Sequence, residues 1–183
     1  MGGSNGGAND EFMNAKNYIT KLNVPFYFIP GDHDLGVSAL AAGIAKKEPI
    51  ERYENIFGSS YFSVDYDSIH FVGLNSSLFD DGLENEKNAQ LEWLKNDLEK
   101  NKRKRIFLFA HKSGILKKSF PIVKNYRIEA LFVGHVHRNN EKEKNGIKII
   151  TTKATSYGWG APGYRIVDVY ESGIQTKEIK LNK

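Results

Sequence analysis

Ile128-Glu129-Ala130-Leu131-Phe132-Val133-Gly134-His135-Val136-His137 is the stretch from which the fold can be read. The run up to Val133 is almost wholly apolar and reads as a buried strand, which Gly134 ends. Two histidines, two residues apart, therefore sit where a strand gives way to a loop. Neutral imidazole is a common ligand for divalent metals, and alternate residues leaving a strand can address two ions, or one ion and its substrate. The plainer alternative for an isolated pair is two satisfied loop side chains.

The chain has five histidines, and two more stand at the ends of similar runs. Val24-Pro25-Phe26-Tyr27-Phe28-Ile29-Pro30 leads into Gly31-Asp32-His33-Asp34, and Arg105-Ile106-Phe107-Leu108-Phe109-Ala110 leads into His111-Lys112-Ser113-Gly114. Three apolar strands are thus expected, each delivering histidine at its C-terminal end. In open α/β sheets ligands collect outside the carboxyl ends of the strands, so the segments can converge on one site. His70 lies inside a strand instead and reads as structural.

The ordered set Gly31-Asp32-His33-Asp34, His111, and Gly134-His135-Val136-His137 resembles signature blocks of the calcineurin-like metallophosphoesterases. The resemblance extends over Tyr61 to Asn75, Gln90 to Leu94 and Gly163-Tyr164-Arg165. It implies an α/β fold, a β-sandwich of mixed sheets flanked by helices in four layers (αββα), with metal ions held between its loops. It also implies that Asp32, His111 and His135 ligate one metal and that His137 belongs to a second. His33 would donate a proton to the leaving oxygen, with Asp34 orienting its ring. The implied reaction is hydrolysis of phosphate mono- or diesters by a metal-bound hydroxide. The divalent ion is manganese, iron, zinc, nickel or cobalt, since His/Asp sites accept all of them.

Two departures accompany the match. The family usually has Asn at the position of Asp32; both side chains offer a hard oxygen donor, but Asp adds a charge. The family's opening Asp-x-His strand and its Gly-Asp block are not found, so the fold is expected to lack its first strand and the second metal site to be weak or empty. Gly3 precedes Gly31 by 28 residues, about the interval between the missing block and the next, which would put Ser4 at the bridging Asp. Residues 1–9 are otherwise a flexible terminus or an expression scar. The alternative function is a catalytically impaired phosphoesterase-like domain, serving as a binding module or representing an N-terminally truncated fragment.

Bulk properties agree with one domain spanning residues 1–183: 40% of residues are hydrophobic and 12% aromatic. Without cysteine there is neither a disulfide framework nor a thiolate ligand. No signal peptide or membrane-length apolar run is visible, so the chain reads as cytoplasmic as given, unless a signal preceded it. A net charge of +4 suits anionic substrates but equally serves solubility. Lys102-Arg103-Lys104-Arg105 is short and lacks interleaved aromatics, which argues against nucleic acid. The expected partner is a phosphate ester, with self-association through an exposed sheet edge as a further expectation.

Helices are expected over Asp10 to Asn23, Glu48 to Phe57 and Glu86 to Lys100, from apolar residues at helical spacing. Hairpins are expected around Tyr66-Asp67-Ser68 and Glu171-Ser172-Gly173, and a strand over Ile147 to Thr152. Leu35 to Lys47 reads as a short helix or loop over the site, and Thr155 to Pro162 as a Gly/aromatic loop. Arg138 to Asn145 reads as a charged loop, Asp80-Asp81-Gly82 as a solvated turn, and Lys117-Lys118 as an exposed loop pair near His111 that could attract phosphate.

Overall fold

The computed structural model describes residues 9–36, 46–80, 83–155 and 161–181. Their elements are α1 (Asn9–Ile19), α2 (Lys47–Phe57), β1 (Phe62–Tyr66), β2 (Ile69–Leu74), a 3-10 turn (Ser76–Phe79), α3 (Glu84–Lys100), β3 (Arg105–Ala110), α4 (Ile115–Val123), β4 (Ile128–Val133), β5 (Asn140–Lys144), β6 (Ile147–Thr151), β7 (Gly163–Tyr170) and β8 (Gly173–Lys180). Strands β1 to β6 make one sheet in the order β1-β2-β3-β4-β6-β5. β2, β3, β4 and β6 run parallel, while β1 and β5 close the edges antiparallel.

The sequences of β3 and β4 explain their central place. A strand buried on both faces reads as a continuous apolar run, and both faces of this sheet are covered. On one face Val72, Leu74, Ile106, Leu108, Leu131 and Val133 pack beneath α3 and α4 through Leu94, Leu98, Leu116 and Val123. On the other, Phe107, Ala130, Phe132 and Ile150 meet Val167, Val169 and Ile174 of the β7–β8 hairpin, which is the second sheet. The sandwich flanked by helices is therefore present, six strands facing two. α1 and α2 enclose a separate cluster of Phe12, Leu35, Ile50, Tyr53, Leu78 and Leu83.

Three expectations are corrected. Phe26 to Ile29 is not a strand of the sheet; Tyr27 stacks on Phe62 at 5.7 Å and Ile29 lies against Gly73, so side-chain packing, not a ladder, holds this segment. Lys117 and Lys118 do not sit in a loop but on the exposed side of α4, whose Ile115, Leu116, Ser119 and Val123 face inward despite Pro121. Arg138 to Asn145 contains strand β5, joined to β6 by a turn with Asn145 at φ 56° and Gly146 at φ 77°. That Asn-Gly pair is a strong hairpin signal, masked by the all-exposed composition of Asn140–Lys144. Such charge on an edge strand discourages further pairing.

Residues 37–45 of the loop expected over the site, Asp81 and Gly82 of the expected turn, residues 156–160 of the Gly/aromatic loop, and Ser4 lie outside the described residues. Among the described residues no helix is long and apolar enough to cross a membrane.

Candidate metal centre

β3 and β4 are neighbours in register, with Ala110 opposite Val133. The ladder continues one step beyond, where the Gly134 N–H donates to the His111 carbonyl at 3.1 Å. His111 and His135 thus leave adjacent parallel strands at the same edge. Immediately after Gly134 the chain folds into a γ-turn: the Val136 N–H donates to the Gly134 carbonyl at 2.8 Å, and His135 between them has φ 68°. His137 is again left-handed, at φ 54°. Left-handed backbone in residues other than glycine costs on the order of 1–3 kcal/mol each and persists where surrounding structure enforces it, often at functional sites.

Asp32 arrives from the extended segment that crosses β1 and β2. The turn carrying it is closed by Asp34, whose Oδ2 accepts the Gly31 N–H at 2.7 Å. Asp32 Oδ1 accepts the His33 N–H at 3.0 Å and lies 2.9 Å from His111 Nε2. Its other oxygen is 3.4 Å from His135 Nδ1, and the two ring nitrogens are 3.2 Å apart. One donor atom from each of Asp32, His111 and His135 lies within 4.8 Å of the others, close enough for the three to hold one metal ion. Gly31 makes room for it: a Cβ there would stand 3.2 Å from His111 Cε1 and Nδ1 and from Asp34 Oδ2.

Burial and neighbouring charges shift two of these groups. Burial by itself raises the Asp32 carboxyl, but the His111 hydrogen bond and the charges of His111, Lys112 and His135 outweigh it and hold the group well below the usual carboxylate range. Burial lowers the His135 imidazole, helped by the charges of His111, Lys112 and His137 and opposed by Asp32. An ionised carboxylate and a neutral imidazole are the forms that bind a metal.

Of the residues read from the sequence, Asp32, His111 and His135 come together; His33 is exposed beside them on the same turn. His137 does not belong to the three-donor cluster. Asp34 is buried and engages the backbone of its own turn. His70, read as structural, is buried with Nδ1 on Asp65 and Nε2 on Asp97, each at 2.7 Å. Asp80, read as part of a solvated turn, instead pairs with Lys112.

Two residues near the centre were not singled out for these roles from the sequence. Gln90 reaches from α3 to the end of β2, accepting the Asn75 N–H at 2.8 Å and donating to the Asn75 carbonyl at 3.1 Å. Lys112 donates its N–H to Ser76 Oγ at 3.0 Å and brings its ammonium to 3.3 Å from Asp32 Oδ2. A buried polar residue on the inner side of an amphipathic helix is the one signal that points to Gln90. Nothing in the local pattern separates Lys112 from other lysines.

Comparisons with known proteins place the chain in a family. The probable glycerophosphodiester phosphodiesterase GpdQ of Arcobacter nitrofigilis is 28% identical over 169 residues, 82% of this chain and 59% of that protein. The serine/threonine-protein phosphatase CPPED1 of Danio rerio is 25% identical over 179 residues, 85% of this chain and 56% of that protein. The chain thus spans less than two thirds of the length of either relative. The solved structure of GAP50, the anchor in the inner membrane complex of Plasmodium, shares the fold with a TM-score of 0.52 at 16% identity, over 66% of this chain and 49% of that one. The family model for calcineurin-like phosphoesterases matches residues 4–139, and the chain belongs to that family.

Proposed function

We propose that the chain hydrolyses phosphate esters at Asp32, His111 and His135 with one divalent metal ion. The convergence of one ionised carboxylate and two imidazoles at the carboxyl ends of adjacent strands carries the reading. The donor set fits manganese, iron, cobalt, nickel or zinc, all of which accept mixed imidazole and carboxylate ligands. When bound, such an ion neutralises phosphoryl charge and acidifies a coordinated water.

The protein's own groups supply the rest. His111 and His135 are fixed by the strand ends and by the strained turn at Gly134, so their nitrogens need little reorganisation to bind. His33 is exposed on the turn whose backbone N–H holds Asp32, which leaves its ring free to approach a substrate oxygen and give it a proton. Asp34 keeps that turn closed and so positions His33. His137, outside the three-donor cluster, is assigned to a second ion whose site is weak or empty. Phosphodiesters and phosphomonoesters, the substrates implied by the relatives' names, both remain within this chemistry.

The test combines metal content by elemental analysis with turnover of p-nitrophenyl phosphate and bis-p-nitrophenyl phosphate. About one ion per chain is expected. His33→Ala should keep the ion and lose at least about 100-fold in turnover, the usual range for a general acid, whereas His135→Ala should lose both. Equal metal loss in the two variants would contradict the assignment.

A further inference from the structure

Lys112 is placed unlike the chain's other lysines near this edge. Lys117 and Lys118 point from α4 into solvent, but the Lys112 side chain is only 24% exposed. Its backbone is fixed twice over, by following His111, whose carbonyl accepts the Gly134 N–H, and by donating to the buried Ser76. The side chain then runs to the donor cluster, where Nζ lies 3.3 Å from Asp32 Oδ2 and 3.2 Å from Asp80 Oδ2. Asp32 Oδ2 is the same oxygen that faces His135. Whatever binds at the cluster therefore stands beside an ammonium already in place.

We propose that Lys112 is the phosphate-binding cation of this site, tethered by Asp80 and turned from Asp32 to a phosphoryl oxygen of the substrate. The inference rests on the hydrolytic reading above and adds to it a named source of positive charge. An ammonium presents three donors on a flexible stem and binds phosphate as a point charge. Asp32 can serve only one cation fully, so an ion at Asp32, His111 and His135 releases the ammonium from that oxygen. Asp80 keeps it from swinging into solvent meanwhile. The site gains charge for an incoming anion from its own chain, in addition to that of the bound ion.

The test uses the full chain, wild type and Lys112→Met, Lys112→Arg and Lys117→Met variants, each checked for fold by circular dichroism. Mn²⁺ affinity is measured first by calorimetric titration, and inorganic phosphate is then titrated into the Mn²⁺-loaded proteins. Lys112→Met should weaken phosphate at least about tenfold while binding Mn²⁺ as tightly as wild type or several-fold tighter, because a competing cation has left Asp32. Lys112→Arg should recover most of the phosphate affinity, and Lys117→Met should match wild type. Unchanged phosphate affinity in Lys112→Met, or parallel loss of Mn²⁺ and phosphate there, would overturn the inference. Failure of the wild type to take up Mn²⁺ would instead overturn the metal-centre reading on which it rests.

Discussion

His70→Leu should remove about 3 kcal/mol of stability without touching the proposed metal ligands. The ring is 1% exposed and bridges two carboxylates, Asp65 on β1 and Asp97 on α3, pinning the β1–β2 hairpin to the helix that covers it. Without it, Asp97, whose side chain is 13% exposed, keeps among the described residues only the Ser63 hydroxyl at 2.8 Å. Leaving a buried charge uncompensated costs about 3–5 kcal/mol, and the partial exposure of Asp97 points to the lower end. Asp65 is half-exposed and retains Lys104, so its loss adds little. Urea unfolding followed by tryptophan fluorescence reads this: with m about 2 kcal/mol per molar, the midpoint falls by about 1.5 M. The double variant His70→Leu/Asp97→Leu should recover most of the loss, because no lone charge stays buried.

The same group sets a pH dependence. Burial pulls the His70 imidazole down, but hydrogen bonds and charges from Asp97 and Asp65 outweigh it and raise the group above its ordinary 6.5. Lys104, paired with Asp65, is the cation facing this cluster. Below 6.5 the ring is protonated in the folded and unfolded chains alike, and its full stabilisation is present. As pH rises, the unfolded chain gives up the proton first, and the stabilisation is lost by the time pH passes the raised folded value. Wild type should therefore lose more stability than His70→Leu between pH 6 and pH 9. A loss below about 1 kcal/mol in His70→Leu, or parallel pH profiles for the two proteins, would refute the bridging role.

Gly31→Ala should weaken Mn²⁺ binding about tenfold by calorimetric titration, since the new methyl meets the His111 ring and Asp34 Oδ2 at 3.2 Å and one of them must move. Saturating Mn²⁺ at 100 times its dissociation constant should stabilise the fold by about 2.7 kcal/mol in urea, and EDTA should abolish that gain; a midpoint indifferent to the ion would refute its binding to the folded chain. Asn145→Val should cost about 1–2 kcal/mol in thermal or urea unfolding, because φ 56° at a tight turn is unfavourable for a β-branched residue. No change in that variant would mean the turn can adopt another conformation without penalty.

The histidine-bearing blocks were legible because each sits at the end of an apolar run, and such runs announce themselves by composition alone. Arg105–Ala110 and Ile128–Val133 did form the central strands, and their ends did deliver His111 and His135. Phe26 to Ile29 carries the same local signal without becoming a strand, since a strand exists only where another backbone pairs with it. The edge strand Asn140–Lys144 shows the converse: its composition resembles a loop, and pairing with β6 makes it a strand.

The sequence by itself determined the family, the strand ends that carry His111 and His135 and the chemical class of the candidate donors, because residue type and order along the chain are enough for these. Tertiary structure alone decided which donors meet. His135 and His137 are chemically identical and two residues apart, yet only His135 joins Asp32 and His111. Their left-handed backbone has no local sequence cause and is enforced by the surrounding fold. Lys112 came into the site the same way: strand register, the Ser76 contact and the position of Asp80 set where its ammonium lies, and those are distances between segments far apart in the chain.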